Sequence, residues 1–178
     1  SKAFTRLTFM PSKIAYTISN AVTLLSLGEM MDVDLTNSFN KSYDKYLDMI
    51  YKKTASLIEA SARAAAILAN KDEEKYALYG KNLGLAFQMV DDILDITQDS
   101  ATLGKPAMLD FVEGKVTIPY LLLHERLENK TKLESLYKKE LTQEESLWIK
   151  EQMSITNALS DSILQAKQIG NIAIKAVE

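Results

Sequence analysis

Five polar residues recur at helical spacing in the middle of the chain: Gln88, Asp91, Asp92, Asp95 and Asp99. On a helix that turns about 100° per residue, their side chains fall within about 100° of one another and form one stripe. Carboxylates grouped in this way, with no histidine or cysteine among them, suit a hard, oxygen-seeking ion such as Mg²⁺. The stripe therefore indicates either a magnesium site or a solvated acidic face.

The charges around the stripe favour the metal site. No lysine or arginine occurs from Asn82 to Gly104, so the i, i+4 partners of an ordinary charged helix are missing. At about 6 Å and an effective dielectric constant near 20, each pair of like charges costs about 3 kcal/mol. A bound divalent cation would reverse the sign of that interaction.

The next cations along the chain are Lys105 and Lys115, each preceded by a glycine in an aperiodic segment. A single lysine in a loop is typically a solvent-facing charge. Two of them directly after an acidic helix indicate instead an anion that binds beside the metal.

Lys53 and Glu29 each stand where the helical pattern favours an apolar side chain. The residues in line with Lys53 are Tyr46, Ile50, Leu57 and Ala64, and those in line with Glu29 are Ile18, Val22, Leu25 and Val33. A buried lysine needs a partner, although a lysine at an edge position can extend to solvent. Polar groups from three helices are thus predicted to converge on one cavity.

Apolar periodicity predicts the helices that carry these residues. The helical stretches are 12–35, 40–68, 72–98, 118–127, 132–139, 144–153 and 157–176. Asp72 is a predicted N-cap, and Thr142 with Glu145 three residues later matches a capping box. The third stretch has an apolar arc formed by Leu83, Ala86, Phe87, Val90, Ile93 and Leu94. Residues 99–119 are predicted to form a connecting loop.

Composition limits the fold and the classes of function. With 178 residues, six glycines and three prolines, the chain predicts one all-α domain over residues 1–178. The absence of cysteine excludes disulfides and thiolate metal sites. A formal net charge of −3 gives no general reason to bind nucleic acid. No apolar run is long enough for a transmembrane segment, and a cytoplasmic location is expected.

Carboxylates for Mg²⁺, lysines for a polyanion and apolar helix walls together suit one kind of ligand, a diphosphate joined to a hydrocarbon. His124 is the only histidine, and its position among Leu121, Leu122 and Leu123 favours a structural role.

Several segments together resemble the trans-polyprenyl (isoprenyl) diphosphate synthases. The stretch from Gln88 to Asp95, preceded by Gly84 and Phe87, resembles their second aspartate-rich motif. The other matching segments are Gly28-Glu29 with Asp32, Lys53-Thr54-Ala55, Gly104-Lys105-Pro106, Asp110, Glu113-Gly114-Lys115, and Thr117 with Pro119. Their order and spacing agree with the family over most of the chain.

The resemblance implies an antiparallel helix bundle of the isoprenoid synthase type with a central cavity. It also implies a Mg²⁺-dependent ionisation, condensation and elimination that joins an allylic diphosphate to isopentenyl diphosphate. Medium- and long-chain members, such as octaprenyl diphosphate synthases, are favoured.

The resemblance further implies a role for each site residue. Asp91, Asp92 and Asp95 would hold Mg²⁺, with Asp91 the most direct ligand. Lys53, Lys105 and Lys115 would neutralise the diphosphate, and Thr54 and Gln88 would face the allylic carbocation. A homodimer is expected, with the helical face around Ile18 to Leu27 as its interface.

One departure from the family leaves alternatives open. Family members carry an earlier aspartate-rich motif and an arginine pair, which nothing before Pro11 supplies. We therefore expect the 178 residues to be the C-terminal part of a synthase and inactive by themselves. The alternatives are a non-catalytic regulatory subunit of a heteromeric prenyltransferase and a plain helix bundle with a solvated acidic stripe.

Overall fold

A computed structural model describes residues 2–97 and 108–178, which are helical with no strand in these ranges. The α-helices are α1 (Lys2–Leu7), α2 (Ser12–Leu35), α3 (Tyr43–Ile50), α4 (Ser56–Leu68), α5 (Glu73–Thr97), α6 (Leu109–Val112), α7 (Ile118–Arg126), α8 (Lys130–Leu136), α9 (Gln143–Ile155) and α10 (Ala158–Val177). A π-helical segment, Tyr51–Ala55, joins α3 to α4. The all-α prediction is confirmed.

Helix α5 occupies the middle of the bundle, with α4 on one side and α10 on the other, while α2 packs against α4 and the π-helical segment. Gly84 of α5 lies against Ala55, and Gly80 lies against Ile58 and Ala62 further along α4. The two helices therefore run antiparallel, and the residues that follow Gly84 on α5 lie beside the π-helical segment.

Local signals account for several helix starts. The Asp72 carboxylate accepts from the backbone N–H groups of Glu74 and Lys75 at the start of α5. Thr142 and Glu145 form the predicted capping box at the start of α9. Side-chain oxygens placed in this way satisfy backbone donors that have no partner within the helix.

The predicted helix over 12–35 agrees with α2, whereas the prediction of one unbroken α-helix over 40–68 is wrong. The chain there forms α3, the π-helical segment and α4 in succession. A π-helical turn accommodates one extra residue, which residue types and periodicity do not signal.

The main apolar core lies between α3, α5 and the helices after residue 108. Phe111 and Tyr120 stack with their ring centroids 4.3 Å apart, and both are fully buried. Other large side chains in this core include Tyr46, Ile96, Leu133, Ile149 and Met153. One core thus joins residues that are distant in sequence. That the chain forms a single domain stays a prediction.

The predicted core faces of two helices are right only in part, since Ala86 and Ile93 of the α5 arc are buried whereas several larger apolar residues of both helices are exposed. On α2, Val22 and Val33 are exposed, Val33 by 65%, and the buried residues include Ile14, Ala21 and Gly28 at intervals of seven. Small side chains let helix axes approach closely, so α2 packs through Ala21 and Gly28 as well as Ile14 and leaves Val22 and Val33 outside.

Helix α5 repeats this arrangement. Leu83, Phe87 and Val90 are exposed, Phe87 by 62%, although the apolar arc predicted them to face the core. Gly80 and Gly84 are buried instead. Among the described residues, no helix is long and apolar enough to cross a membrane.

His124 has a structural environment. Its side chain is buried, its ring lies 4.9 Å from that of Phe39, and its Nε2 atom lies 2.7 Å from Glu134 Oε1. Glu134 also forms an ion pair with Lys41 at 2.7 Å. This cluster ties α8 to α7 and to the segment before α3.

We predict that Glu134→Gln destabilises the protein near neutral pH and has little effect in acid. The hydrogen bond from Lys41, followed by that from His124, lowers the pKa of Glu134. A lowered carboxyl pKa stabilises the fold above the ordinary value and loses that contribution as pH falls through the folded-state value. The difference in urea midpoint between variant and parent should therefore shrink from about pH 5 to about pH 3. Glu125→Gln, which removes the same charge from the surface of α7, is the control, and a pH-independent difference would contradict the prediction.

Candidate active site

The π-helical segment carries Lys53 and Thr54, and two glycines determine how closely other helices approach it. A Cβ atom on Gly28 of α2 would lie 2.3 Å from the backbone nitrogen of Lys53. A Cβ atom on Gly84 of α5 would lie 2.5 Å from the Cα atom of Ala55. Backbones this close leave no room for a side chain. The segment is therefore held between α2 and α5, and its side chains enter the space that these helices share.

Lys53 stands where the helical pattern favours an apolar side chain, so it was expected to need a partner, and the structure supplies one. Its Nζ atom lies 2.7 Å from Asp32 Oδ2 and 3.4 Å from Glu29 Oε2, both on α2. Burial alone would lower the pKa of Lys53, but hydrogen bonds to the two carboxylates and attraction by their charges outweigh burial and raise it. The ammonium is thus held in its charged form at the cavity.

Thr54 of the π-helical segment and Gln88 of α5 are in contact. The Thr54 hydroxyl donates to Gln88 Oε1 at 2.8 Å. The Gln88 amide nitrogen donates to Asp92 Oδ1 at 3.1 Å and makes a longer contact of 3.4 Å with Asp91 Oδ2. Thr54 and Gln88, which are predicted to face the carbocation, therefore belong to one hydrogen-bonded group with Asp91 and Asp92 of the acidic stripe.

The acidic stripe does not lie on one exposed face. Asp91 is exposed, whereas Asp92 is 4% and Asp95 is 2% exposed. Burial raises the pKa of Asp92 to about 7, although hydrogen bonds from Tyr46 and Gln88 act in the opposite direction. The stripe passes from the cavity mouth into the core, and the plain solvated face expected as an alternative does not describe it.

Asp95 anchors the segment that follows. Its Oδ2 atom accepts from the backbone N–H of Asp110 at 3.3 Å, and its carbonyl accepts from the N–H of Met108 at 2.8 Å. Residues 108–110 are thereby fixed against the last turns of α5. This contact brings Asp110 to the cavity.

Lys115 lies across the cavity from Lys53. Its Nζ atom is 3.0 Å from Asp110 Oδ1 and 2.8 Å from Glu113 Oε2. Burial would lower the pKa of Lys115, but the hydrogen bonds and charges of both carboxylates raise it. Gly114 adopts a φ of +93°, a left-handed conformation that suits glycine, and its carbonyl accepts from the Tyr137 hydroxyl at 2.8 Å. Lys105 and Asp99 lie outside the described residues.

These groups surround one cavity of about 200 Å³. Its charged lining consists of Asp32, Lys53, Asp91, Asp92, Asp110 and Lys115, and Gln88 also lines it. Leu35, Met49, Ile50 and Val116 supply apolar wall. Five predicted site residues, namely Lys53, Gln88, Asp91, Asp92 and Lys115, thus meet at one cavity, with Thr54 bonded to Gln88 beside them.

Tyr46 has a polar role that its position in the sequence does not indicate. It occupies an apolar position in the helical pattern, yet its hydroxyl donates to Asp92 Oδ2 at 2.6 Å inside the core. Nothing in the local residue types distinguishes this tyrosine from a packing residue. In the described ranges, no group of three or more Asp, Glu or His residues is arranged to hold a metal ion.

Comparison with known proteins identifies the family. A family model described as polyprenyl synthetase matches residues 1–154. The chain belongs to the polyprenyl synthetase family. The recognition made from the aspartate-rich, Lys-Thr and Gly-Lys segments is confirmed.

Curated relatives include the prenyl transferase of Cyanidium caldarium, 37% identical over 174 residues, which are 93% of this chain and 52% of the relative. The mitochondrial solanesyl-diphosphate synthase 1 of Oryza sativa subsp. japonica is 42% identical over 113 residues, or 62% of this chain and 26% of the relative. The chain thus spans about half or less of the length of these two relatives.

Solved structures share the fold. Octaprenyl pyrophosphate synthase from Helicobacter pylori matches with a TM-score of 0.91 and 44% identity, covering 99% of this chain and 61% of that one. A polyprenyl synthase from Caulobacter crescentus, complexed with calcium and isoprenyl diphosphate, matches with a TM-score of 0.84 and 32% identity, covering 94% and 53%. The isoprenoid synthase type of bundle expected from the sequence is therefore confirmed.

We predict that Gly28→Ala destabilises the protein and that Gly170→Ala does not. A methyl group at position 28 would overlap the Lys53 backbone, and overpacking of this kind costs about 1–3 kcal/mol of the free energy of unfolding. At Gly170 the nearest atom to a new Cβ is Ala86 Cβ at 3.9 Å, an ordinary contact. Replacement of a helical glycine there should be neutral or stabilise by up to about 1 kcal/mol. Urea unfolding measures both, and equal stability of the two variants would contradict the close approach of α2.

Proposed function

We propose that the full-length gene product is a Mg²⁺-dependent prenyltransferase that condenses isopentenyl diphosphate with an allylic diphosphate to make a longer trans-polyprenyl diphosphate. The observation that carries this proposal is the convergence of Lys53 and Lys115 with Asp91 on one cavity of the family fold. The related Caulobacter crescentus enzyme, whose structure contains calcium and isoprenyl diphosphate, supports the ligand class.

The residues present fit a divalent cation. Asp91 is exposed at the cavity, and its contact with Gln88 is long at 3.4 Å, so its oxygens are open to a ligand. Magnesium in proteins is usually bound by one or two carboxylates, waters and substrate phosphates. Asp91 would hold the ion, and the charges of Asp92 and Asp95 behind it would add negative potential. When bound, the ion would withdraw charge from the diphosphate leaving group.

Lys53 and Lys115 would bind the diphosphate oxygens. Each ammonium has three donors, so it can keep a carboxylate partner while it donates to a phosphate oxygen. Their raised pKa values keep both side chains charged while the carbon–oxygen bond of the allylic diphosphate breaks. Preorganised positive charge at a developing anion stabilises the transition state.

Thr54 and Gln88 would face the allylic carbocation. Their oxygens carry partial negative charge, which stabilises a cation but is too weakly nucleophilic to trap it readily. A carbon–carbon bond then forms with isopentenyl diphosphate, and the released diphosphate takes the proton that restores the double bond. This scheme requires no protein histidine, in agreement with the structural environment of His124.

The kinship with octaprenyl and solanesyl synthases supports a medium- or long-chain product. The cytoplasmic location stays a prediction, as does the inactivity of the 178 residues alone.

We predict that Asp91→Ala lowers turnover of the full-length gene product by at least ~100-fold because a metal ligand is lost. Radiolabelled isopentenyl diphosphate measures product formation, and calorimetry measures linked binding of Mg²⁺ and an unreactive diphosphate analogue. Asp34→Ala removes the same charge from the exposed surface of α2 and should leave both unchanged.

Near-normal turnover by Asp91→Ala would contradict the assignment. A gene product that makes no product alone but raises the activity of a separate prenyltransferase would favour the regulatory subunit.

The proposed partner is a second copy of the chain. Between Lys13 and Glu29, α2 contains no charged residue, and its Val22 and Leu27 side chains are exposed. An uncharged exposed surface with large aliphatic side chains is typical of an interface. We propose that this face, around Ile18 to Leu27, forms a homodimer.

Leu27→Glu should shift the molar mass of the full-length protein from that of two chains toward that of one, because the new charge would lose hydration in the interface. Light scattering measures the mass. Ile174→Glu, at an exposed position of α10, is the control and should leave the dimer intact. A monomeric parent, or a dimer unaffected by the charge at position 27, would refute the interface.

A further inference from the structure

Four side chains from α3, the π-helical segment and α5 form one hydrogen-bonded series. Tyr46 of α3 donates to Asp92 Oδ2 at 2.6 Å, and Gln88 Nε2 donates to Asp92 Oδ1 at 3.1 Å. Thr54 in the π-helical segment donates to Gln88 Oε1 at 2.8 Å. The series begins in the core and ends at the two groups proposed to face the carbocation.

Asp92 is bonded differently from Asp91. Each of its two oxygens accepts from a protein donor, and the side chain lies behind Asp91 with 4% of the residue exposed. Asp91 is exposed, and its Oδ2 atom lies 3.4 Å from the Gln88 amide nitrogen. The two adjacent aspartates therefore suit different tasks, one facing the cavity and one facing the amide.

The orientation of the Gln88 amide follows from this bonding. Both oxygens of the Asp92 carboxyl group accept hydrogen bonds, one from Tyr46 and one from the Gln88 amide nitrogen, so Asp92 faces the NH₂ end of the amide. The carbonyl end must then face Thr54. A reversed amide would place a donor, with partial positive charge, where the mechanism requires partial negative charge.

Tyr46 is the group that holds Asp92 in place from the core side. Tyr46 is 1% exposed, and burial together with the Asp92 charge keeps its pKa well above the usual value, so its hydroxyl remains a donor. The 2.6 Å distance between the Tyr46 hydroxyl and Asp92 Oδ2 is at the short end of the range for hydrogen bonds between oxygens.

We propose that Tyr46 is a positioning residue of the reaction: its hydroxyl holds Asp92, and Asp92 orients the Gln88 amide with its carbonyl oxygen toward Thr54. This inference rests on the proposed function for its catalytic consequence. It assigns Asp92 to the orientation of Gln88 and leaves direct metal binding to Asp91.

The first test reads the amide itself and does not depend on activity. The full-length protein is labelled with ¹⁵N-glutamine, and the Gln88 side-chain signals are assigned by their loss in Gln88→Glu. Tyr46→Phe should shift these signals because the variant lacks the hydroxyl group that donates to Asp92. The Asp92 side chain would then no longer be held in place. Tyr43→Phe is the matched control, since its ring lies 6.2 Å from that of Tyr46 while its hydroxyl donates to Gln165. Gln88 signals that move no more in Tyr46→Phe than in Tyr43→Phe would overturn the proposal.

The second test uses steady-state kinetics. Tyr46→Phe should lower kcat roughly 10-fold while KM for both diphosphates stays within about 3-fold, and Tyr43→Phe should leave both unchanged. Unchanged kcat in Tyr46→Phe, or equal losses in the two variants, would refute a positioning role.

The third test separates orientation from metal binding. Asp92→Asn should lower kcat with the Mg²⁺ activation constant within about 3-fold of the parent, whereas Asp91→Asn should raise that constant at least about 10-fold. An equal rise in both variants would make Asp92 a metal ligand and overturn the proposal. A parent protein with no prenyl transfer would refute the proposed function, and the amide signals would still decide whether Tyr46 orients Gln88.

Discussion

Two ion pairs face one small cavity, one between Lys53 and Asp32 and the other between Lys115 and Asp110. The rest of the site depends on this balance of charge. In surroundings with an effective dielectric constant near 20, opposite charges at about 4 Å attract by about 4 kcal/mol before desolvation is subtracted. That attraction allows two ammonium groups to remain charged beside apolar wall. The cavity holds more carboxylates than ammonium groups, so it can accept a cation together with a polyanion.

The geometry of the cavity comes from helix packing through small residues. Gly28 and Gly84 bring the backbones of α2 and α5 onto the π-helical segment from two sides. The widened turn places Lys53 toward Asp32 on α2, while Thr54 meets Gln88 on α5. A side chain longer than hydrogen at either glycine would separate the helices that these contacts join.

Much of the site could be predicted from the sequence because helical periodicity relates spacing to direction. It placed Gln88, Asp91 and Asp92 on one stripe and Lys53 toward a shared cavity, while Lys115 was predicted from its position in the aperiodic segment that follows; the structure has all five at one cavity. It was only partly right for the core faces, since burial of Gly28 and Gly84 depends on close approach by another helix and hydrophobicity does not report it. The π-helical turn and the hydroxyl of Tyr46 were also missed, because both depend on tertiary contacts between α3, α4 and α5.

The same packing explains why α5 has two chemically different surfaces side by side. Since its glycines face α4 and the π-helical segment while Asp91 and Asp92 line the cavity, Phe87 and Val90 remain exposed next to Asp91 in the helical order. A ligand with a charged head at Asp91 would therefore meet apolar surface within one turn of the helix. A diphosphate with a hydrocarbon tail requires this change of polarity over a short distance. The exposed apolar side chains that contradicted the expected core face are therefore consistent with the proposed substrate.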